Sequence, residues 1–305
     1  MKSLLKSWFW VAILLLPACS RVGQDTPGAG RVVIASKSFI ESAILGEMLA
    51  VMIETHTDLQ VDRKPDLGSN LAFDGIKAGE VDLYIDYTGT ILVNYFKKKP
   101  SDDPAEVLKI VRKELDPLGL ELLDPLGFSN TYTLTMREAQ ARELGITKIS
   151  DLAAHADQLR PAFDPEFMKR PDDGYPALIK HYGFRFGIEP KQVSADLMYK
   201  LCGEGDVDVI DAFSTEGSID KFKLKVLVDD KHFFPPYDAA PLVRKALLKK
   251  HPQLRNVLRR LAGRIDEATM RRLHLEVLEQ KRPAREVAET FLKSAGLLAK
   301  GDAAK

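Results

Sequence analysis

The 305-residue chain is poor in several things, and each shortage removes a class of function. Cysteine occurs twice, at Cys19 and Cys202, too rarely for a disulfide framework or a cysteine zinc cluster. The six histidines are scattered, with no pair at metal-ligand spacing, so no metal site and no cofactor are expected. Net charge is absent: 44 basic side chains balance 44 acidic ones, which argues against a nucleic-acid partner. There is no Gly-x-Ser-x-Gly, no phosphate-cradling glycine loop and no Cys/His pair at informative spacing. Acidic residues are plentiful, yet none stands out as a catalytic pair. These gaps weigh against an enzyme. The longest apolar run, Trp8 to Leu16, spans nine residues, too few to cross a bilayer.

That run is informative for another reason. Lys2 and Lys6 precede it and Leu16-Pro17-Ala18-Cys19 follows, the order of a secretory signal. A small residue before a cysteine resembles a lipoprotein signal, in which residues 1–18 are removed and Cys19 is lipidated. Pro17 departs from the usual residue at its position, so ordinary cleavage nearby is the alternative. Removing residues 1–18 leaves 42 basic and 44 acidic side chains. Residues 19–30 are small, polar and glycine-bearing and read as a tether. Cys202 follows the helical pattern Leu197-Met198-Tyr199-Leu201 and reads as a buried structural thiol.

Folded structure is expected from Arg31. Val32–Ala35, Leu59–Arg63 and Val81–Ile85 read as strands, with helices at Ile40–Glu54 and Asn70–Lys77 between them. This βαβαβ alternation predicts a mostly parallel α/β sheet. A second set follows: strands at Thr131–Met136, Leu159–Phe163 and Val207–Ile210, helices at Leu152–Ala154, Tyr175–Tyr182 and Gln192–Leu201, with Ser150 as a helix cap. From Leu242 onward the apolar spacing predicts helices to the end, at Leu242–Leu248, Leu254–Leu261, Met270–Leu278 and Ala284–Leu292. Residues 244–272 hold ten Lys or Arg and two acids, interleaved with apolar positions as solvated helix faces are. An internal echo links Lys77-Ala78-Gly79-Glu80-Val81-Asp82-Leu83 to Cys202-Gly203-Glu204-Gly205-Asp206-Val207-Asp208-Val209. Each is a helix end, a glycine turn and an acidic strand start. Two similar lobes facing one another would create a cleft at their strand ends, where open α/β sheets bind ligands.

Aromatic residues recur at those ends: Tyr87, Tyr132, Phe213 and Tyr237. Tyr237 belongs to the stiff run Phe233-Phe234-Pro235-Pro236-Tyr237, whose prolines fix the backbone. The rings could cap the core or line a ligand site. A quaternary ammonium has no N–H to donate, and aromatic faces are what grip it, at about 0.5–2 kcal/mol per contact. A zwitterion would need a carboxylate grip as well. Arg170, in a proline-bearing loop, offers a bidentate fork. Lys37 lies near a helix start, and Thr90 offers a hydroxyl.

Taken in order, Ala35-Ser36-Lys37-Ser38-Phe39-Ile40-Glu41, Leu45-Gly46-Glu47-Met48-Leu49, Asp66-Leu67-Gly68-Ser69, Gly79 to Tyr84, Tyr87-Thr88-Gly89-Thr90, Asn130-Thr131-Tyr132, Phe167 to Gly174, Gly205 to Asp211 and Asp230 to Ala239 make a recognisable series. The chain resembles the glycine betaine/choline-binding proteins of osmoprotectant ABC transporters over about residues 31–295. The resemblance implies an α/β, two-lobe type II periplasmic-binding-protein fold with a ligand cleft between lobes. One lobe would comprise 31–128 and 236–298, the other 129–235. It implies an aromatic cage of Tyr87, Tyr132, Tyr237 and Phe213, which stands where relatives often carry tyrosine and lacks the hydroxyl. Lys37, Thr90 and Arg170 fall on carboxylate-side positions. The implied function is capture of a quaternary ammonium compatible solute for a membrane ABC permease, outside the cytoplasm, by a monomer that is not an enzyme. A sensor or binding protein for choline, carnitine or a thiol-betaine is the alternative, and a secreted enzyme on the same fold the remoter one.

Overall fold

The computed structural model describes residues 30–99 and 101–299. The signal, the tether and Cys19 lie outside the described residues. Among the described residues, ten strands form two five-stranded sheets. The first contains β1 (Arg31–Lys37), β2 (Gln60–Leu67), β3 (Leu83–Tyr87), β4 (Leu120–Leu122) and β10 (Ala239–Arg244), in the order β2-β1-β3-β10-β4. The second contains β5 (Tyr132–Arg137), β6 (Pro161–Phe163), β7 (Lys191–Gln192), β8 (Val209–Phe213) and β9 (Leu224–Val226), in the order β7-β6-β8-β5-β9. In each sheet three neighbouring strands are parallel, and the fourth runs antiparallel to both its neighbours. Those fourth strands, β10 and β5, are the ones the chain enters after crossing from the other sheet.

The first core is built on α1 (Ile40–His56), whose Ile44, Leu45, Met48, Leu49, Met52 and Ile53 are all buried. Ala50 and Val51 are buried too, so the helix is apolar on nearly every side and must be enclosed. The helices Gln253–Arg259, Glu267–Leu278 and Ala284–Ser294 enclose it. Each fully buried Leu, Ile or Met there contributes roughly 1.5–3 kcal/mol. The second sheet carries its own core, from Leu134 and Met136 to Phe163, Phe167, Tyr175, Leu178 and Phe234.

The internal echo is a real pseudo-twofold relation. The helices Ser69–Ala78 and Ala195–Glu204 both end on a left-handed glycine, Gly79 with φ 82° and Gly205 with φ 89°, a conformation that disfavours any side chain. Asp82 and Asp208 follow at the same spacing. Asp82 accepts from Arg244 at the end of β10 at 2.9 Å, and Asp208 accepts from Arg137 at the end of β5 at 2.7 Å. Asp208 also receives Arg160. Although burial opposes ionisation, these guanidinium contacts hold its carboxyl well below the usual range.

Several expectations need correction. The predicted helix at Leu242–Leu248 is strand β10 followed by a short helix, Lys245–Lys250. Ala239, Ala240, Leu242 and Val243 are buried on both faces, so the strand has no alternation to reveal it. Pro241 fits a central strand because its carbonyl receives Leu123 N–H at 2.9 Å. Its missing N–H therefore faces the side where β4 has already ended. The helix expected at Gln192–Leu201 starts later, at Ala195, after β7. Ser150 does not cap the 3₁₀ turn Ile149–Ala154. Lys148 occupies that place, and the Ser150 hydroxyl donates to Asp230 at 2.6 Å.

Candidate functional site

The site is assembled where β3 and β8 end and the two crossovers pass between the sheets. Tyr87 and Phe213 are equivalent residues, the last of β3 and of β8; Tyr87 is in register with Ala239 and Phe213 with Tyr132. The next residue in each case is a hydroxyl that clamps a crossover. Thr88 N–H donates to Asp238 O, and its Oγ1 accepts from Asp238 N–H at 3.0 Å. Ser214 N–H donates to Thr131 O, and its Oγ accepts from Thr131 N–H at 3.2 Å. The crossovers run side by side: Ser129 bridges Asp238, Asn130 N–H donates to Tyr237 O, and Tyr237 N–H donates to Ser129 Oγ.

The aromatic residues lie in two groups, Tyr132 with Phe213 on one lobe and Tyr87 with Phe39 on the other. The Tyr132 and Phe213 ring centres are 4.7 Å apart. Arg170 brings its guanidinium 5.3 Å from the centre of the Tyr132 ring, within cation–π range. Tyr237 stacks directly on the backbone after β3: a Cβ at Gly89 would lie 2.7 Å from its Cδ1. Tyr87 is buried, whereas 38% of Phe213 is exposed, as is 41% of Phe39, whose ring centre is 6.2 Å from that of Tyr87. Burial raises the phenol pKa of Tyr87, Tyr132 and Tyr237, so these rings act as neutral faces.

The polar residues are held differently from one another. Arg170 donates from Nε and Nη2 to the two oxygens of Asp173, at 2.7 and 2.5 Å. That bidentate pair orients the fork and raises the guanidinium pKa further. Lys37 is 3% exposed, with its ammonium 2.5 Å from Asp86 and 5.2 Å from the centre of the Tyr87 ring. Its charge is answered inside the protein, which the sequence did not suggest. Thr90 opens a widened, π-type turn, Thr90–Tyr95, and is half-buried. Phe234 is buried and Phe233 half-buried, and Asp229 receives both their N–H groups. They anchor the loop, while Pro235 and Pro236 carry the chain to Tyr237.

Sequence reasoning passed over several neighbours. Glu41 accepts the Tyr87 hydroxyl at 2.5 Å and Asn130 Nδ2 at 3.0 Å. Phe167 lies 5.3 Å from Tyr132, and Gly174 permits the close turn over Arg170 O and Phe167 O. Glu41 and Phe39 stand in the same Ser-Lys-Ser-Phe-Ile-Glu run as Lys37, so an acid one turn beyond a lysine was the available signal. Cys202 is buried, with its thiol pushed up to about 12 by burial. Among the described residues no group of His, Cys, Asp and Glu could hold a metal ion, and no helix is long and apolar enough to cross a membrane.

Two pseudo-symmetric α/β lobes, joined by paired crossovers beneath a group of aromatic rings, define a two-lobe solute-binding protein. The chain belongs to the family described as the substrate-binding domain of the ABC-type glycine betaine transport system, whose profile matches residues 30–294. It is therefore a transport component and not an enzyme, and its place is extracytoplasmic. It is 36% identical over 281 residues to the glycine-betaine-binding protein of Pseudomonas aeruginosa, covering 88% of this chain and 89% of that one. It is 33% identical over 283 residues to the carnitine transport binding protein OpuCC of Listeria monocytogenes, covering 92% and 91%. It is also 33% identical to the ergothioneine transport permease/ergothioneine binding protein EgtU of Helicobacter pylori, where the match covers 93% of this chain and 51% of that one. A solved structure described as a glycine betaine/carnitine/choline ABC transporter superposes with a TM-score of 0.84 at 32% identity, covering 88% of this chain and 99% of that one.

Proposed function

We propose that the protein captures a zwitterionic quaternary ammonium compatible solute, glycine betaine or a similar betaine, and delivers it to a membrane permease. Tyr87, Tyr132, Phe213 and Tyr237 form the cage for the trimethylammonium group. Arg170 receives the carboxylate, assisted by the Thr90 hydroxyl. Lys37 contributes from behind Tyr87 through its pair with Asp86. The observation that carries the reading is the Arg170 guanidinium 5.3 Å from the centre of the Tyr132 ring, which itself lies 4.7 Å from the Phe213 ring: a cation oriented by Asp173 beside two neutral aromatic faces. An anion and a methylated cation on one small molecule match that arrangement. Arg170 also disfavours choline, which would bring a second cation beside it.

Residues 129–235 would move as one lobe against 31–128 and 236–298, hinging at the two crossovers. Cys19, once lipidated, would tether a monomer to the membrane beside its permease. The printed name of the Helicobacter relative couples a permease with a binding protein, which supports that partnership. The same relative, with the Listeria one, supports the second reading, in which the cage takes carnitine or a thiol-betaine. Calorimetric titration with glycine betaine, proline betaine, carnitine, choline and ergothioneine tests both. Heat from glycine betaine or proline betaine supports the first reading, heat from carnitine or ergothioneine alone moves the assignment to the second, and no heat from any ligand refutes both.

A further inference from the structure

Two buried oxygens near the Tyr87 hydroxyl lack a donor, and they belong to side chains that already share a hydrogen bond. Glu41 lies in the first turn of α1 and is 2% exposed. Its Oε1 accepts twice, from the Tyr87 hydroxyl at 2.5 Å and from Asn130 Nδ2 at 3.0 Å. Glu41 Oε2 and Asn130 Oδ1 are both buried without a partner. A carboxylate oxygen and an amide carbonyl can only accept, so neither can satisfy the other. Nor does any cation among the described residues answer a charge on Glu41. Lys37 and Asp86, beside the Tyr87 ring, pair with one another. From the second lobe come the Thr215 hydroxyl and a like charge, Glu216, which itself faces His274 at 3.7 Å. An ionised carboxylate so placed would be costly, and so would two unpaired acceptors.

One proton removes both costs. Placed on Oε2, it lets the acid donate to Asn130 Oδ1, while Oε1, now a carbonyl, keeps its two donors. Acid and amide then close a ring of two hydrogen bonds, and both orphaned oxygens gain a partner. We infer that Glu41 is held as a neutral acid in a closed acid–amide pair with Asn130, and that this pair positions the Tyr87 ring and the first crossover. Glu41 is a positioning residue: it acts through Tyr87 and Asn130. Asn130 lies on the stretch that passes from one sheet to the other, and its backbone N–H donates to Tyr237 O. The pair therefore ties α1, the end of β3 and the crossover at one point. Burial raises the Glu41 carboxyl above its ordinary value and Glu216 adds to this, against the Thr215, Tyr87 and Asn130 groups, the direction the proton requires. The role in ligand capture rests on the reading of Tyr87 as a cage ring; the proton does not.

Carbon-13 NMR of protein labelled at the glutamate side-chain carboxyl reads the proton directly, the Glu41 signal being the one that Glu41→Gln removes. At pH about 6 exposed glutamates are ionised, their usual value being about 4.3, and Glu41 is expected at the position of a neutral acid. A carboxylate signal there would overturn the inference, whether Thr215 or a water supplied the missing donor. Glutamine reproduces the neutral acid, since its Nε2 donates to Asn130 Oδ1 and its Oε1 accepts as before. Glu41→Gln should therefore keep the affinity for glycine betaine that Glu41→Ala loses, a loss of roughly tenfold, the size of one buried group left unsatisfied. The pH profile separates a proton from packing alone. A carboxyl whose value is raised on folding stabilises fully below its unfolded value and loses that contribution as pH rises through its folded value. In urea titrations the folding constant of Glu41→Gln should thus gain on that of the wild type above pH about 4.3, by up to about tenfold per pH unit until the folded value is reached. A ratio that does not change with pH, or a glutamine variant that binds as weakly as the alanine one, would overturn the inference. If Glu41→Ala does not fold by circular dichroism, the NMR signal and the pH profile of Glu41→Gln decide. A wild-type protein that binds no betaine would remove the proposed function and with it the role in capture, while the proton stands or falls on the NMR signal and the pH profile.

Discussion

Adding a single methyl group at Gly89 tests the proposed cage without altering any polar side chain. Gly89 has φ −65° and ψ −41°, a conformation alanine adopts freely, so backbone preference by itself would favour the substitution by about 0.4–1 kcal/mol. The obstacle is steric. A Cβ at position 89 would lie 2.7 Å from Tyr237 Cδ1, 2.8 Å from Tyr237 Cε1 and 2.8 Å from Pro236 O. Carbon atoms pack best at about 3.5–4.0 Å, so the Tyr237 ring must retreat by roughly 0.8 Å or more. Pro236 O belongs to the crossover backbone, whose neighbours Thr88 and Ser129 are hydrogen-bonded to it, and it has little room to give. Overpacking of this kind costs about 1–3 kcal/mol. On the proposed function, displacing the Tyr237 ring would forfeit up to about 2 kcal/mol of cation–π attraction. Gly89→Ala is therefore expected to weaken glycine betaine about tenfold or more and to lower the melting temperature of the free protein. Gly68→Ala is the control, since nothing lies within 4 Å of a Cβ there. Binding within twofold of wild type, with an unchanged melting temperature, would show that Tyr237 does not sit against the ligand.

Truncating the ring itself should have a larger effect. Tyr237→Ala is expected to weaken binding more than about tenfold, and unchanged affinity by calorimetry would remove the 229–239 loop from the site. Arg170→Gln should lower the affinity for glycine betaine by about tenfold or more while leaving choline unchanged or improved, because the bidentate fork serves a carboxylate; a parallel loss for both ligands would assign Arg170 to holding Asp173 alone. Asp211 yields a pH prediction. Burial raises its carboxyl to about 7, above the usual value near 3.8 in an unfolded chain, so folding favours its protonated form. Its contribution to stability is complete below the unfolded value and is lost as pH rises through about 7. At about 1.4 kcal/mol per unit, Asp211→Asn should stabilise the protein by roughly 2–4 kcal/mol at pH about 8 and make little difference at pH about 4. An asparagine oxygen can still accept Asp164 N–H, now 2.8 Å away. Urea titrations at both pH values measure this, and equal effects at the two would contradict the assignment.

The architecture was legible wherever short-range chemistry decides it. Gly79 and Gly205 announce two helix ends because only glycine is at ease at their φ, and the aspartates after them mark two equivalent strands. Tyr87 and Phe213 close strands and Tyr132 opens one, and those positions are what single out these rings in the sequence. What escaped was set by long-range pairing. β10 is flanked by β3 on one side and β4 on the other, which removes the alternation that betrays a half-buried strand and leaves Leu242 and Val243 looking like the start of a helix. The pairing of Lys37 with Asp86 joins residues on adjacent strands whose relation no local pattern states. Glu41 stands in a motif that states no role for it, because its partner Tyr87 comes 46 residues later.

The pseudo-twofold relation explains why the two equivalent rings are not interchangeable. Tyr87 and Phe213 end corresponding strands, and the residues after them, Thr88 and Ser214, grip corresponding crossovers. Yet Tyr87 is buried and tied by its hydroxyl to Glu41, while Phe213 has no hydroxyl and is 38% exposed. Restoring a hydroxyl at 213 would not restore symmetry, since Ile85 and Asp211 already differ at the equivalent position two residues earlier. One lobe thus holds a ring anchored by its hydroxyl and the other a partly exposed ring without one. Because each ring directly precedes a residue bonded to a crossover, the proposed rotation at 129–131 and 236–238 would carry both rings with it. On the proposed capture mechanism the anchored half receives the cation and the adjustable half closes over it, so variation in ligand shape among relatives should fall on the side of Phe213 and Tyr132 rather than on that of Tyr87.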